Sequence, residues 1–103
     1  MNQDTLPVGS IVYLKEGTVP LVIVASSLFV RPNEEDETMI YFDYSAAPYP
    51  EGLVEESAYY FHHENIAEVV FTGYKNDQFE RYLKAVEEWK ETNPESFKIG
   101  SVE

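Results

Sequence analysis

Short runs of β-branched and aromatic residues, separated by proline and glycine, dominate the chain up to Gly73. Short runs with turn residues at intervals of about ten residues are typical of an antiparallel sheet. The pattern predicts five strands, at residues 11–14, 21–25 with a continuation to 30, 38–44, 58–62 and 66–71. A parallel sheet with crossover helices, or a second long helix before Gly73, would contradict this interpretation.

One segment near the C-terminus has helical periodicity instead. Its apolar residues recur at i, i+3, i+4, i+7 and i+10 and are Phe79, Tyr82, Leu83, Val86 and Trp89. This spacing forms one apolar stripe, which we expect to pack on the sheet. Asn76 is a good N-cap, and Asn93-Pro94 ends the pattern.

The chain of 103 residues is near the commonest domain size, so we expect one domain with one core. The predicted fold is α+β, with a curved, mostly antiparallel sheet of about five strands, for which a barrel-like form is one option. The sheet covers residues 6–74 and the single C-terminal helix residues 76–92. The tail, residues 93–103, either adds a short edge strand or stays mobile.

The third strand leads into a corner rich in aromatic and acidic residues, which ends at Gly52. Pro48 and Pro50 restrict the residues before them to extended conformations, so a turn is predicted from Ser45 to Gly52. Another strand pair and the helix follow this corner. The two halves of the chain are therefore expected to meet here.

Charge restricts the class of partner. The chain has 19 acidic and 7 basic residues, and from Pro32 to Tyr74 it contains ten acidic residues and no Lys or Arg. Such a surface repels phosphate backbones and anionic lipid headgroups. We therefore expect a protein partner that is neutral or basic, and neither nucleic acid nor a membrane surface.

Cysteine is absent, which fits a reducing compartment. No apolar run approaches the roughly 20 residues of a membrane-spanning helix. The N-terminus, Met1-Asn2-Gln3-Asp4, lacks the basic start of a signal peptide. These features predict a cytoplasmic protein.

Potential metal ligands crowd together only at His62-His63-Glu64. Adjacent strand residues point to opposite faces, so the two histidines cannot reach one ion without a bend. A hydrogen-bonded histidine at a strand end is the favoured interpretation. The acidic run Glu34-Glu35-Asp36-Glu37 lacks the spacer glycine of a calcium loop. No metal and no cofactor are therefore expected.

Asp43 and Glu51 flank the aromatic corner and are the alternative for chemistry, as the acid and base of a small hydrolase. Nothing in the sequence fixes their separation. The serines lie in no nucleophile elbow, and a phosphate-binding glycine loop is absent. We therefore expect no catalytic residues and no enzyme activity.

The aromatic corner is the predicted partner-binding surface, because ring anchors beside a charge are typical of binding hot spots. The candidate residues are Tyr44, Tyr49, Pro50 and Glu51, with Trp89 on the helix as second choice. The alternative is that these rings belong to the core.

The sequence also resembles domain-of-unknown-function family 4176 over about residues 6 to 90. The resemblance rests on Leu6-Pro7-Val8-Gly9-Ser10-Ile11-Val12, Leu14-Lys15 with Gly17, Asp43-Tyr44, Tyr49-Pro50-Glu51-Gly52, Phe61 with His63-Glu64-Asn65-Ile66, and Val69-Val70-Phe71 with Gly73-Tyr74. Family members often carry a Gly-Arg pair where this sequence has Ala25-Ser26.

Members of this family are small proteins of Gram-positive bacteria, commonly encoded near type VII secretion systems and their LXG-domain toxins. The resemblance implies an accessory factor of toxin export, such as a cytoplasmic chaperone or adaptor that binds the toxin or its helical partners. An immunity protein, which blocks a toxin's active site by acidic mimicry, is the alternative.

Overall fold

A computed structural model describes residues 5–31, 35, 37–54 and 58–102. Its elements in chain order are β1 (Ile11–Leu14), β2 (Leu21–Val30), β3 (Met39–Pro48), β4 (Tyr59–Phe61), a one-turn 3₁₀ helix (His63–Asn65), β5 (Ile66–Phe71), α1 (Asp77–Thr92) and β6 (Phe97–Ile99). The predicted α+β class is confirmed. Two of the four residues in the acidic run weighed as a calcium loop, Glu34 and Asp36, lie outside the described residues.

The sheet has the strand order β4-β3-β2-β1-β5, and β6 also pairs with β3. Every pair is antiparallel except β3 with β6, which is parallel. The sheet is open, because β4 and β5 lie at opposite ends of this order. The predicted strand pair is thus wrong in detail: β4 pairs with β3, whereas β5 pairs with β1.

Strand β3 extends beyond its predicted end. Residues Ser45 to Pro48 continue the ladder with β2, and Ala46 and Ala47 are fully buried. The turn predicted from Ser45 therefore begins only at Tyr49, whose amide donates to the Pro20 carbonyl at 2.9 Å. The Tyr49–Pro50 bond is cis. Pairing with the neighbouring strand has overridden local turn propensity here.

The core lies where β1, β2, β3 and β4 meet the segment that precedes β1. Its buried apolar residues are Leu6, Val12, Leu21, Ile23, Tyr44, Ala46 and Phe61. The entry segment is fixed by Gly9, which has φ of 97° and donates to the Ile23 carbonyl at 2.8 Å. Glycine suits this position because it has no Cβ atom to clash at a positive φ.

Gly73, after β5, packs directly on this entry segment. Its amide donates to Ser10 Oγ at 2.9 Å. A Cβ atom on Gly73 would lie 2.5 Å from the Val8 carbonyl oxygen and 3.0 Å from backbone atoms of Gly9 and Ser10. Only glycine allows this approach of two backbones, so Gly73 anchors the end of β5 to the start of the domain.

The helix begins and ends as predicted. Asn76 Oδ1 accepts a hydrogen bond from the Phe79 amide at 3.0 Å, and the Asn93 amide donates to the Trp89 carbonyl at 2.9 Å. None of the described helical residues is fully buried. The helix reaches the sheet through long side chains: the Tyr82 hydroxyl lies within 2.9 Å of two β2 carbonyls.

No helix formed by the described residues is both long and apolar enough to span a membrane.

Candidate functional site

Tyr44 is not a surface residue, and its assignment as a partner anchor is wrong. The side chain is 0% exposed and packs on Phe61, with ring centroids 5.6 Å apart. Its hydroxyl accepts a hydrogen bond from the Leu6 amide at 2.9 Å and lies 2.7 Å from His63 Nδ1. The alternative from the sequence, that this ring belongs to the core, applies to Tyr44.

The other corner residues face solvent. Tyr49 is 50% exposed, and Pro50 and Glu51 are exposed in the same turn. Leu53 and Val54, which follow them, are also exposed apolar residues. Their placement is compatible with partner binding, which stays a prediction for this turn.

Trp89, the second choice, is half-buried in a ring cluster. Its ring lies 4.9 Å from that of Phe29 and 5.9 Å from that of Phe97, measured between centroids. The indole therefore helps to hold α1 and β6 on the sheet. This packing is the role that the apolar stripe predicts.

A cleft of about 770 Å³ opens between β3, the 3₁₀ helix, α1 and the tail. Its lining residues are Tyr41, Asp43, His62, His63, Glu64, Asn65, Lys90, Ile99, Gly100, Ser101 and Val102. No local pattern in the sequence indicates this cleft, because its walls come from segments far apart in the chain.

The two histidines diverge at the base of the cleft. His62 Nε2 donates to the Gly100 carbonyl at 2.9 Å, since a carbonyl can only accept, whereas His63 Nδ1 faces the Tyr44 hydroxyl. Asp43 Oδ2 accepts from the His63 amide at 2.9 Å and lies 3.5 Å from His62 Nδ1. The prediction of hydrogen-bonded histidines at a strand end is confirmed.

A separate pocket of about 280 Å³ shares Tyr41, Asp43 and Lys90 with the cleft and is also lined by helix residues. Here Lys90 Nζ lies 3.9 Å above the Tyr41 ring, and Ser27 has φ of 54°, which is unusual for a residue with a side chain. Burial raises the pKa of the Tyr41 hydroxyl above its ordinary value of 10.0, and the nearby Asp43 carboxylate adds to this shift. Sequence reasoning missed Ser27, since its conformation has no local sequence signal.

The structure separates the two carboxylates of the hydrolase alternative. Asp43 lies in the cleft, and β3 continues for five more residues, roughly 16 Å, before the exposed turn that carries Glu51. Among the described residues, no group of three or more His, Asp or Glu side chains is arranged to hold a metal ion.

The edge of the sheet formed by β5 is a second candidate surface, here named the β5 edge. Among the described strands, only β1 pairs with β5, so the other side of β5 is open. Three successive apolar residues, Val69, Val70 and Phe71, are 43%, 52% and 58% exposed, and Tyr74 beyond them is 81% exposed. Exposure of successive residues means that both faces of the strand are accessible.

The fold and these surfaces belong to a small α+β domain with an open sheet. The family model described as Domain of unknown function (DUF4176) matches residues 5–82, about three quarters of the chain. The chain therefore belongs to this family, as the resemblance predicted. Neither the search of curated proteins nor the search of solved structures found a match.

Proposed function

We propose that this protein is a non-enzymatic, protein-binding accessory factor whose binding surface is the β5 edge. The observation that carries the proposal is the open strand with Val69, Val70 and Phe71 exposed in succession. A partner's extended segment can add to such an edge through main-chain hydrogen bonds, while its side chains pack on both faces.

The negative charge of the protein and the apolar residues of β5 favour a partner segment that is neutral or basic. The net charge is -12, and the stretch from Pro32 to Tyr74, which includes β3, β4 and β5, has no Lys or Arg. On β5 itself only Glu68 is charged. The partner strand is therefore expected to present apolar residues to β5 and basic residues beyond it.

The family resemblance supports a more specific role, which we include in the proposal. The protein would act in the cytoplasm as a chaperone or adaptor that keeps a type VII-secreted LXG toxin ready for export. An exposed apolar edge suits a chaperone because it can cover an apolar segment of the cargo before folding or export.

The non-enzymatic part of the proposal rests on how the polar cleft groups are used. The Asp43 carboxylate accepts a backbone amide, and His62 holds the tail backbone. These hydrogen bonds stabilise the fold. Both side chains are therefore engaged with the protein's own backbone.

An immunity protein is the second candidate, and its support is the charge of -12. Nucleases and other toxins that act on anionic substrates have basic active sites, which an acidic surface can block. In that case the partner is the C-terminal toxic domain, whereas an export factor should bind the helical N-terminal region, through an extended segment of it.

The test measures binding of the purified protein to each half of an LXG toxin from the same cell. Val70→Glu places a charge on the β5 edge, and the matched control Leu53→Glu places one on the exposed corner. We expect Val70→Glu to raise Kd for the N-terminal fragment by about tenfold or more, with Leu53→Glu close to wild type. Melting temperatures should remain nearly unchanged, because both side chains are exposed.

Other results would revise or overturn the proposal. Binding of the C-terminal fragment alone supports the immunity protein. If Val70→Glu has no effect, two results would place the binding surface at the corner and not at the β5 edge. They are loss of binding in Leu53→Glu and a loss of about 2 kcal/mol of binding free energy in Tyr49→Ala. Failure of both fragments to bind contradicts a role with LXG toxins.

A further inference from the structure

The outer side of β3 is shared by two short strands. Strand β4 pairs antiparallel with Tyr44 to Ala46, and β6 pairs parallel with Met39 to Tyr41. Strand β6 has three residues, and Lys98 and Ile99 within it are exposed. The tail therefore occupies a place on β3 that a strand from another chain could occupy in the same way.

Main-chain hydrogen bonds and one ring hold the tail in this position. The Met39 amide donates to the Ser96 carbonyl, and the Gly100 amide donates to the Tyr41 carbonyl, both at 2.9 Å. The Phe97 ring lies 5.4 Å from the Phe29 ring and near those of Tyr41 and Trp89. The surface of β3 that the tail covers, here named the groove, thus accepts an aromatic side chain at the position of Phe97, the first residue of β6.

The groove also selects glycine three residues later. A Cβ atom on Gly100 would lie 2.3 to 2.7 Å from atoms of the Phe42 ring. That ring is stacked on His62, with centroids 5.3 Å apart, and His62 holds the Gly100 carbonyl. Because Phe42 is held by this stacking, a larger residue than glycine would displace the tail backbone.

The tail is more exposed than the strand β3 with which it pairs. Ile99 is 59% exposed, and only the residues between Asn93 and Phe97 connect β6 to the helix. A short edge strand with few buried contacts opens more readily than the central strands. In addition, Phe29, Tyr41, Phe42 and His62 lie inside the region matched by the family model, and the tail lies outside it.

From these observations the geometry points to a strand-binding groove on β3, formed by Phe29, Tyr41, Phe42 and His62. It accepts a parallel, extended segment of a partner protein with an aromatic residue and, three positions later, a glycine. The tail is an exchangeable internal ligand of this groove. The groove is separate from the β5 edge, so this inference does not depend on the proposed function.

A labelled peptide with the sequence of residues 96–102, Ser-Phe-Lys-Ile-Gly-Ser-Val, is the probe, and fluorescence anisotropy reports its binding to the full chain. Gly100→Val in the chain weakens the tail as a competitor, and Lys98→Ala, at an exposed position, is the matched control. If the tail occupies the groove for about 99% of the time, wild type binds the peptide about 100-fold more weakly than an open groove does.

We expect Gly100→Val to bind the peptide at least about tenfold more tightly than wild type and Lys98→Ala to behave as wild type. A peptide with alanine in place of phenylalanine, or valine in place of glycine, should not bind. Phe97→Ala in the chain is a second way to release the tail if Gly100→Val does not fold.

The proposal is overturned if neither released variant binds the peptide, or if all chains bind it equally. A second measurement on the wild-type chain is amide hydrogen exchange. The Gly100 amide should exchange much faster than the amides between β2 and β3. Equal protection at both places would show that the tail opens only on global unfolding, which contradicts an exchangeable ligand.

Discussion

The two edges of this sheet, here called its sides, differ in their exposure to solvent: one is covered and the other is open. On the β3 side, β4, β6 and the His62 hydrogen bonds cover the outer strand. On the β5 edge, an open strand exposes three apolar residues and carries one charge, Glu68. Natural proteins usually protect a sheet edge with charges, proline or a covering segment. The contrast indicates that the covered side contributes more to the stability of the domain, whereas the β5 edge is open, as the proposed binding surface requires.

The largest expected difference comes from one phenylalanine on each side. Phe61 on β4 is 0% exposed, whereas Phe71 on β5 is 58% exposed. Phe61→Ala is expected to lower the free energy of unfolding by about 3–5 kcal/mol through the cavity it leaves. Phe71→Ala should change it by only about 0.5 kcal/mol or less. Urea denaturation of both variants measures the difference.

Comparable losses for the two variants would contradict the comparison. They would mean that the β5 edge is packed in solution, as in a stable dimer. Measuring the denaturation midpoint at two protein concentrations distinguishes this case, since a dimer's midpoint rises with concentration.

A smaller effect is expected from removing one hydroxyl on each side. Tyr44→Phe removes the buried oxygen that accepts the Leu6 amide and faces His63 Nδ1. Leaving these groups without that partner costs about 1–3 kcal/mol. Tyr74→Phe, beyond β5, is the matched control because the Tyr74 side chain is 81% exposed. A Tyr44→Phe protein as stable as the control would show that water satisfies both groups.

Features that have a local signal in the sequence could be predicted, whereas features that depend on distant residues could not. The Asn76 cap, the helix end and the short strands have local signals, and the structure agrees with them. The continuation of β3 through Ala46 and Ala47 lacks such a signal, because pairing with β2 stabilises it there. The parallel pairing of Met39 with Phe97 joins residues 58 positions apart, so local propensity cannot indicate it.

The candidate sites follow the same rule. Tyr44 is buried in β3, whereas Tyr49 is exposed in the turn that follows β3. That turn begins after Pro48, although the sequence predicts that it begins at Ser45. Apolar character in β5 indicated a strand, but the sequence could not show that its outer side is open. That property depends on strand order, which is a matter of tertiary structure.

The smallest expected effect is visible only at alkaline pH. Burial raises the pKa of the Tyr41 hydroxyl, beside β6, and that of Tyr82, which bonds the β2 carbonyls, above the ordinary value of 10.0. Near and above pH 10 the unfolded chain loses these protons before the folded chain does. The stability from the protonated hydroxyls is therefore complete below about pH 10 and is lost as pH rises through the folded-state pKa values.

Thermal melts between pH 8 and 11 test this expectation. Tyr41→Phe should reduce the decrease in Tm above pH 10, because the variant has no hydroxyl to ionise at this buried position. Tyr82→Phe should act in the same direction, because the pKa of its hydroxyl is also raised by burial. An identical alkaline decrease in wild type and Tyr41→Phe would mean that the Tyr41 hydroxyl is open to water. The tail would then cover β3 less completely than the β3–β6 pairing indicates.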